Sequence, residues 1–292
     1  MQKILLYYKF IPVPDPDAVK LWQKSLCEKL NLKGRILIAE HGINGTIGGE
    51  LKDLKQYVKE TKTHPAFKGI VFKWSDGERD HFPKLIVKVR PEIVTFGTPE
   101  KIKVDKNGIV GGGKRLKPAQ VHDLIKERGE DVVFFDGRNK YEAEVGKFQN
   151  AVVGNVNHSR DFAKELKDPK YNGIKDKPVV TYCTGGIRCE VLGTLMKQEG
   201  FKEVYQIDGG IVKYGEAYGD EGLWDGALYV FDDRVTTKFS DKAKDIGICI
   251  HCNRNTSNYE NCTNKTCNLH MIVCENCVAK ELCPDCLAQP VK

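Results

Sequence analysis

The chain has 292 residues, longer than one compact domain usually runs, so two or three domains are expected. Lys plus Arg number 46 against 40 Asp plus Glu, a net charge of +6 that suits an anionic partner without demanding one. No stretch approaches the apolar length of a membrane span, and Lys9 with the prolines after it breaks the N-terminal apolar run, so a cytosolic protein without membrane attachment is expected.

Ile4 to Phe10 is an apolar run, and Pro16-Asp17 opens a helical stretch carrying Val19, Trp22, Leu26 and Leu30 at helical spacing. Arg35 to Ala39 reads as a short strand, followed by a hairpin turn placed at Asn44-Gly45, residues that tolerate positive φ. A second helix over 51–62 and strands over 70–74 and 85–89 complete a β-α-β-β-α-β order with one strand added. That order predicts a ferredoxin-like, acylphosphatase-like α+β domain over residues 1–95.

Residues 96–117 are rich in Gly, Lys and Pro and poor in apolar periodicity, which reads as a linker, either simply solvated or offering a basic strip to RNA phosphate. From 118 to 222 strands and helices alternate. Asp131 to Phe135 and Lys177 to Thr181 are continuous apolar runs, as expected of strands covered on both faces, with Val204 to Ile207 as a third. A parallel α/β domain is predicted there, and residues 223–292 form a separate cysteine-rich segment.

The second of those strands runs into Cys183-Thr184-Gly185-Gly186-Ile187-Arg188-Cys189 and then a helix-compatible run. A loop between a strand end and a helix start converges backbone N–H groups into an anion cradle. Gly185 and Gly186 permit conformations that a Cβ forbids, and Arg188 adds a fixed positive fork, so Cys183 is expected to be a thiolate nucleophile. Cys189 is either a packing residue of the helix or a resolving thiol. Cys27, in the first helix, is expected in the core. His41 is an ordinary loop histidine or part of an RNA-facing surface.

The six residues from Cys183 to Arg188 resemble the active loop of rhodanese domains. Asp136-Gly137-Arg138 matches the Asp-x-Arg element of that family, expected to hold the sheet end, and Asp208-Gly209-Gly210-Ile211 resembles its turn after the last strand. Related cysteine phosphatases place one residue more between cysteine and arginine, which suits a phosphate; the shorter loop here suits a smaller group such as a persulfide sulfur. The string YCTGGIRCE, the HGINGT stretch, Trp224-Asp225-Gly226 with VFDDRV behind it, and the cysteine-rich tail together resemble the bacterial tRNA uridine 5-hydroxylase family of rhodanese-domain proteins. The resemblance implies oxygen-dependent 5-hydroxylation of the wobble uridine, with molecular oxygen as co-substrate, Cys183 essential and the tRNA anticodon loop as partner. Gly137 and Val191-Leu192 depart from the usual family residues without touching the loop. The alternative that the loop chemistry alone favours is a sulfurtransferase carrying sulfane sulfur as a Cys183 persulfide. No GxGxxG follows a strand, so no nucleotide cofactor is expected.

The tail holds Cys249-x2-Cys252, Cys262-x4-Cys267, Cys274-x2-Cys277 and Cys283-x2-Cys286. Four pairs at chelate spacing, without an export signal, predict two tetrahedral metal sites, with zinc the usual occupant and iron–sulfur a competitor. Spacing leaves the pairing open, and His251 or His270 could replace a thiolate.

Overall fold

A computed structural model describes residues 1–288, which fall into two compact units. The first comprises Met1–Lys114, His158–Asp176 and Ile187–Val204; the second comprises Arg115–Asn157, Lys177–Gly186 and, of the described residues, 205–288. The segment 118–222, read as one domain in the sequence, thus contributes residues to both.

In the first unit, strands β1 (Gln2–Phe10), β2 (Lys33–Ala39), β3 (Gly42–Glu50), β4 (Val71–Ser75) and β5 (Leu85–Val89) form one sheet in the order β4-β1-β3-β2-β5. The first four are antiparallel neighbours in the ferredoxin-like order, and β5 is added parallel to β2. Helix α1 (Pro16–Lys29) starts with Pro16 after Asp15, whose carboxylate accepts the Ala18 N–H at 2.9 Å. It buries Val19, Gln23 and Cys27, with Trp22, Leu26 and Leu30 partly buried against the same core. Helix α2 (Leu51–Thr63) buries Leu54, Tyr57 and Thr61, again one residue per turn. Their apolar partners are alternate residues of the sheet: Leu5 and Tyr7, Ile36 and Ile38, Ile43 and Ile47.

The β2–β3 turn falls at Glu40-His41, not at Asn44-Gly45. Asn44 and Gly45 lie inside β3, opposite Tyr8 and Tyr7. Gly45 is required there by crowding rather than by turn geometry, since a Cβ on it would sit 2.2 Å from the Tyr7 ring. Asn44 Nδ2 donates to the Ile93 carbonyl at 2.9 Å.

The segment read as a linker is built rather than merely solvated. Glu92, 8% exposed, accepts the N–H groups of Phe96, Gly97 and Thr98 at 3.1, 2.9 and 3.1 Å. A short hairpin, Val104–Asp105 with Gly108–Ile109, follows. Lys197 Nζ, on the helix Ile187–Gln198, then donates to the Gly112 carbonyl at 2.7 Å. A Cβ on Gly193 of that helix would lie 2.8 Å from the Gly113 nitrogen, so the glycine pair allows backbone and helix to touch. Tyr8 of β1 donates to Glu190 of the same helix at 3.0 Å. The glycines that make the segment look like a linker in sequence are what let it pack closely.

The second five-stranded sheet orders its strands as Val152–Val153, Val133–Asp136, Pro178–Tyr182, Glu203–Ile207 and Lys114–Leu116, the first three being parallel neighbours. Pro178–Tyr182 is buried at every residue, as its unbroken apolar sequence predicts for a central strand. Its aromatic end packs with Phe134, Phe148, Tyr214 and Trp224 in the core of the second unit. Among the described residues no helix is long and apolar enough to cross a membrane.

Candidate active site and metal centres

Cys183 follows the last residue of the central strand and is fully buried. The chain turns through Thr184, Gly185 and Gly186, with Gly186 at φ +94°, and enters the helix at Ile187. That turn aims the Gly186 N–H at the Cys183 sulfur, 3.1 Å away. A donor fixed on a sulfur stabilises negative charge that resides or develops there. Arg188 and Cys189, both buried, lie in the first turn of the helix.

A second strip of chain clamps the loop from its carbonyl side. Gly209 and Gly210 adopt φ of +78° and +67°, and the Ile211 and Val212 N–H groups donate to the carbonyls of Cys183 and Thr184 at 2.9 and 3.1 Å. A Cβ on Gly210 would lie 2.3 Å from the Cys183 oxygen and 2.7 Å from the Gly186 nitrogen. The Asp208 to Ile211 turn was legible as an element; its grip on the cysteine loop was not, because sequence does not show which carbonyls a helix N-terminus meets.

Asp136 and Arg138 sit below the loop, both fully buried. The Arg138 Nε and Nη2 donate to the two Asp136 oxygens at 2.9 and 2.6 Å, and its Nη1 and Nη2 reach the carbonyls of Glu142 and Gly146 at 3.1 and 2.6 Å. The guanidinium lies 5.7 Å from the Tyr182 ring centre and 5.2 Å from that of Trp224. The Gly137 N–H donates to the Tyr182 carbonyl at 2.8 Å. Burial, reinforced by Asp136, pushes the Tyr182 phenol well up.

The eight tail cysteines form two interleaved sets. Cys249, Cys252, Cys274 and Cys277 make one, and Cys262, Cys267, Cys283 and Cys286 the other, with the sulfurs of each set within 4.8 Å of one another. Cys252 and Cys274 sulfurs are 3.5 Å apart, and Cys267 and Cys283 3.8 Å. Zinc–sulfur bonds of about 2.3 Å in a tetrahedron set an edge of roughly 3.8 Å, so the spacing fits. Burial pushes Cys249 up, but backbone N–H groups of Cys274, His251 and Cys252 outweigh it and bring the thiol down to about 6. Backbone donation from Cys283 likewise brings Cys262 down to about 7. Burial and neighbouring sulfurs push Cys277 and Cys286 up to about 12, because four thiolates so close cannot all ionise without a cation among them.

Neither histidine replaces a thiolate. His270 Nδ1 pairs with Asn261 Oδ1 at 2.8 Å and its Nε2 with the Tyr229 hydroxyl at 3.2 Å, while the ring stacks on Tyr259 with centres 4.5 Å apart. His251 belongs to neither set of sulfurs. His41 accepts the Ile93 N–H at 3.4 Å and stacks on Phe10, and burial lowers its pKa; this is the role of a packed loop residue. Cys27 is fully buried in the first core, where burial pushes its thiol up to about 12 and leaves it inert.

Three family models match in succession: a UPF0176 acylphosphatase-like domain over residues 2–93, a rhodanese-like domain over 117–217, and a rhodanase C-terminal region over 225–288. A Corynebacterium urealyticum protein named tRNA uridine(34) hydroxylase is 60% identical over 277 residues, covering 95% of this chain and 93% of that one. The chain belongs to the tRNA uridine(34) hydroxylase family. Proteins of the same name from Corynebacterium jeikeium and an Arthrobacter species are 59% and 58% identical, over 95% and 96% of this chain and 90% and 95% of theirs. The family match spans the cysteine loop, the clamp and both sulfur clusters alike.

Gly210→Ala is expected to lower stability by about 1–3 kcal/mol in urea unfolding, because it imposes both a disfavoured φ and a clash on the loop. Gly173→Ala, where a Cβ meets nothing within 4 Å, is the control and should stay within about 0.5 kcal/mol of wild type.

Proposed function

We propose that this chain hydroxylates C5 of the uridine at position 34 of tRNA in the cytoplasm, with Cys183 as the catalytic thiol and dioxygen as the oxygen source. Family membership supports the substrate and reaction, and the Gly186 N–H aimed at the Cys183 sulfur is the observation that supports giving the chemistry to this residue. Uracil is an electron-poor ring, and a thiolate adds to its C6 as ordinary covalent catalysis. The new C–S bond pushes the C5–C6 pair into an enolate at C5–C4. The Gly186 N–H, the loop amides and Arg188 are the groups available to stabilise the charge as it moves. The enolate carbon takes up one oxygen atom, loses its proton, and expels the thiolate. The other oxygen leaves as water, taking two electrons and two protons from an external reductant such as a dithiol.

The thiol is fully buried, so the nucleobase reaches it only when the covering side chains part. Uridine in an unpaired anticodon loop can be splayed out at modest cost, which a stacked duplex base cannot. Asp136 and Arg138 act as positioning residues, fixing the strand end from which Cys183 emerges. The sulfur clusters each take one zinc ion, held by Cys249, Cys252, Cys274 and Cys277 and by Cys262, Cys267, Cys283 and Cys286. The competing sulfurtransferase reading draws on the short loop, in which four residues separate Cys183 from Arg188.

Nucleosides from bulk tRNA of cells lacking the gene, complemented with wild type or Cys183→Ala, separate the two by mass spectrometry. Hydroxylation predicts that 5-hydroxyuridine and its derivatives fall and that wild type alone restores them; a fall in thiolated nucleosides with hydroxylated ones level would instead mark sulfur transfer. For the addition step, tRNA carrying 5-fluorouridine at position 34 should become attached to Cys183 in tryptic peptides, since fluorine cannot leave as the proton does. Absence of any adduct under turnover conditions would remove the C6 addition. Elemental analysis of purified protein is expected to give two zinc ions per chain, falling to one in Cys267→Ser.

A further inference from the structure

We propose that Phe231 is a stacking platform for an unpaired base of the tRNA anticodon loop, a subsite that rests on the tRNA reading above. Phe231 lies in the VFDDRV stretch, which the catalytic loop does not use. Strands Leu228–Tyr229 and Thr236–Thr237 pair antiparallel, and residues 230–235 connect them. The connection is locked. Arg234 Nε and Nη2 donate to both Asp232 oxygens at 2.7 and 2.6 Å, and the Asp232 side chain is only 7% exposed. The Val230 N–H reaches the Val235 carbonyl at 2.8 Å, and the Val235 N–H the Asp232 carbonyl at 2.9 Å. Val235 sits at φ +58°, a left-handed conformation that a β-branched residue adopts only where its surroundings impose it.

On this hydrogen-bonded loop Phe231 is 63% exposed. Among the described residues the only other aromatic side chain in the exposed class is Trp74, at 38%. The ring is backed by Tyr229, 5.3 Å between centres, and Tyr229 in turn meets Tyr141, Tyr259 and His270 at 5.2, 5.4 and 5.8 Å. An apolar ring on a mobile tail is ordinary; one held out by an ion pair and a strained residue, against an aromatic wall, is preorganised for a flat partner. Proteins bind unpaired bases by stacking them on such rings. Asp232 is neutralised by Arg234, and the carboxylate left exposed, Asp233 two residues beyond Phe231, suits a base edge rather than the RNA backbone. The exposed Asp233 carboxylate offers an acceptor to the N–H edge of that base.

The test uses the full chain and a fluorescein-labelled, unmodified tRNA transcript with uridine at position 34, beside a duplex of the anticodon stem without its loop. Phe231→Ala should weaken transcript binding roughly 5- to 150-fold, the equivalent of about 1–3 kcal/mol per stacked base, and raise KM with kcat unchanged. Phe231→Trp should retain affinity and Phe231→Leu should not, with all three variants melting as wild type because the ring is exposed. Transcript binding by Phe231→Ala as tight as wild type, equal weakening on the loopless duplex, or full rescue by leucine would each overturn the proposal. Failure of the tRNA reading would look different: wild type itself would form no 5-hydroxyuridine.

Discussion

A charged pair shut away from water underlies the end of the sheet from which Cys183 emerges. Asp136 and Arg138 are both fully buried, and two charges in that position stay folded only if every donor and lone pair is used. The Arg138 donors are divided between the Asp136 carboxylate and two backbone carbonyls, which ties three consecutive stretches of chain to one planar group. Removing one partner from such a pair typically costs about 3–5 kcal/mol, because the other is left buried and uncompensated. The guanidinium also underlies the rings of Tyr182 and Trp224, so the residue before the cysteine is fixed by packing as well as by the sheet. From that fixed point the loop needs only Gly186 for its turn and Gly209-Gly210 for its clamp.

The sulfur clusters solve a different problem. The core around them consists of Cys249, Cys262, Cys274, Cys277 and Cys283 with Met271 and Val273, so most of its buried apolar matter is the cysteines themselves. A segment with so little hydrocarbon cannot offset its conformational entropy by burial alone, and metal–thiolate bonds at the two proposed sites would supply the missing free energy. Interleaving matters here: pairing the first motif with the third and the second with the fourth makes each cation close a loop that contains a ligand of the other.

Much of this was legible in the sequence because period and chemistry agreed. The β-α-β-β-α-β order, the unbroken apolar central strand, the cysteine loop and the eight chelating thiols are all local patterns, and the chain keeps each of them. What was not legible depends on residues distant in sequence. Gly45 looked like a turn residue, yet it is glycine because Tyr7 on the neighbouring strand fills the space its Cβ would need. Residues 96–117 looked like a solvated connector, yet their glycines allow close contact with the helix after the loop. Cysteine pairing, and the clamp on Cys183 by the Gly210 helix, likewise require knowing which strands return to which loop.

The cysteine loop by itself does not choose a reaction. A thiolate held by a backbone N–H serves equally to accept a sulfur atom or to add to an electron-poor ring; the rate of each depends on which partner is presented to it in a reactive geometry. A small sulfur donor needs only the pocket. A nucleobase needs its neighbours in the strand held as well, because splaying one base out of a loop leaves adjacent bases without stacking partners. On the proposal made for Phe231, a preorganised exposed ring would restore such a contact at little entropic cost. Holding the strand on either side of the target base is thus a requirement that the nucleobase reaction sets and the sulfur reaction does not.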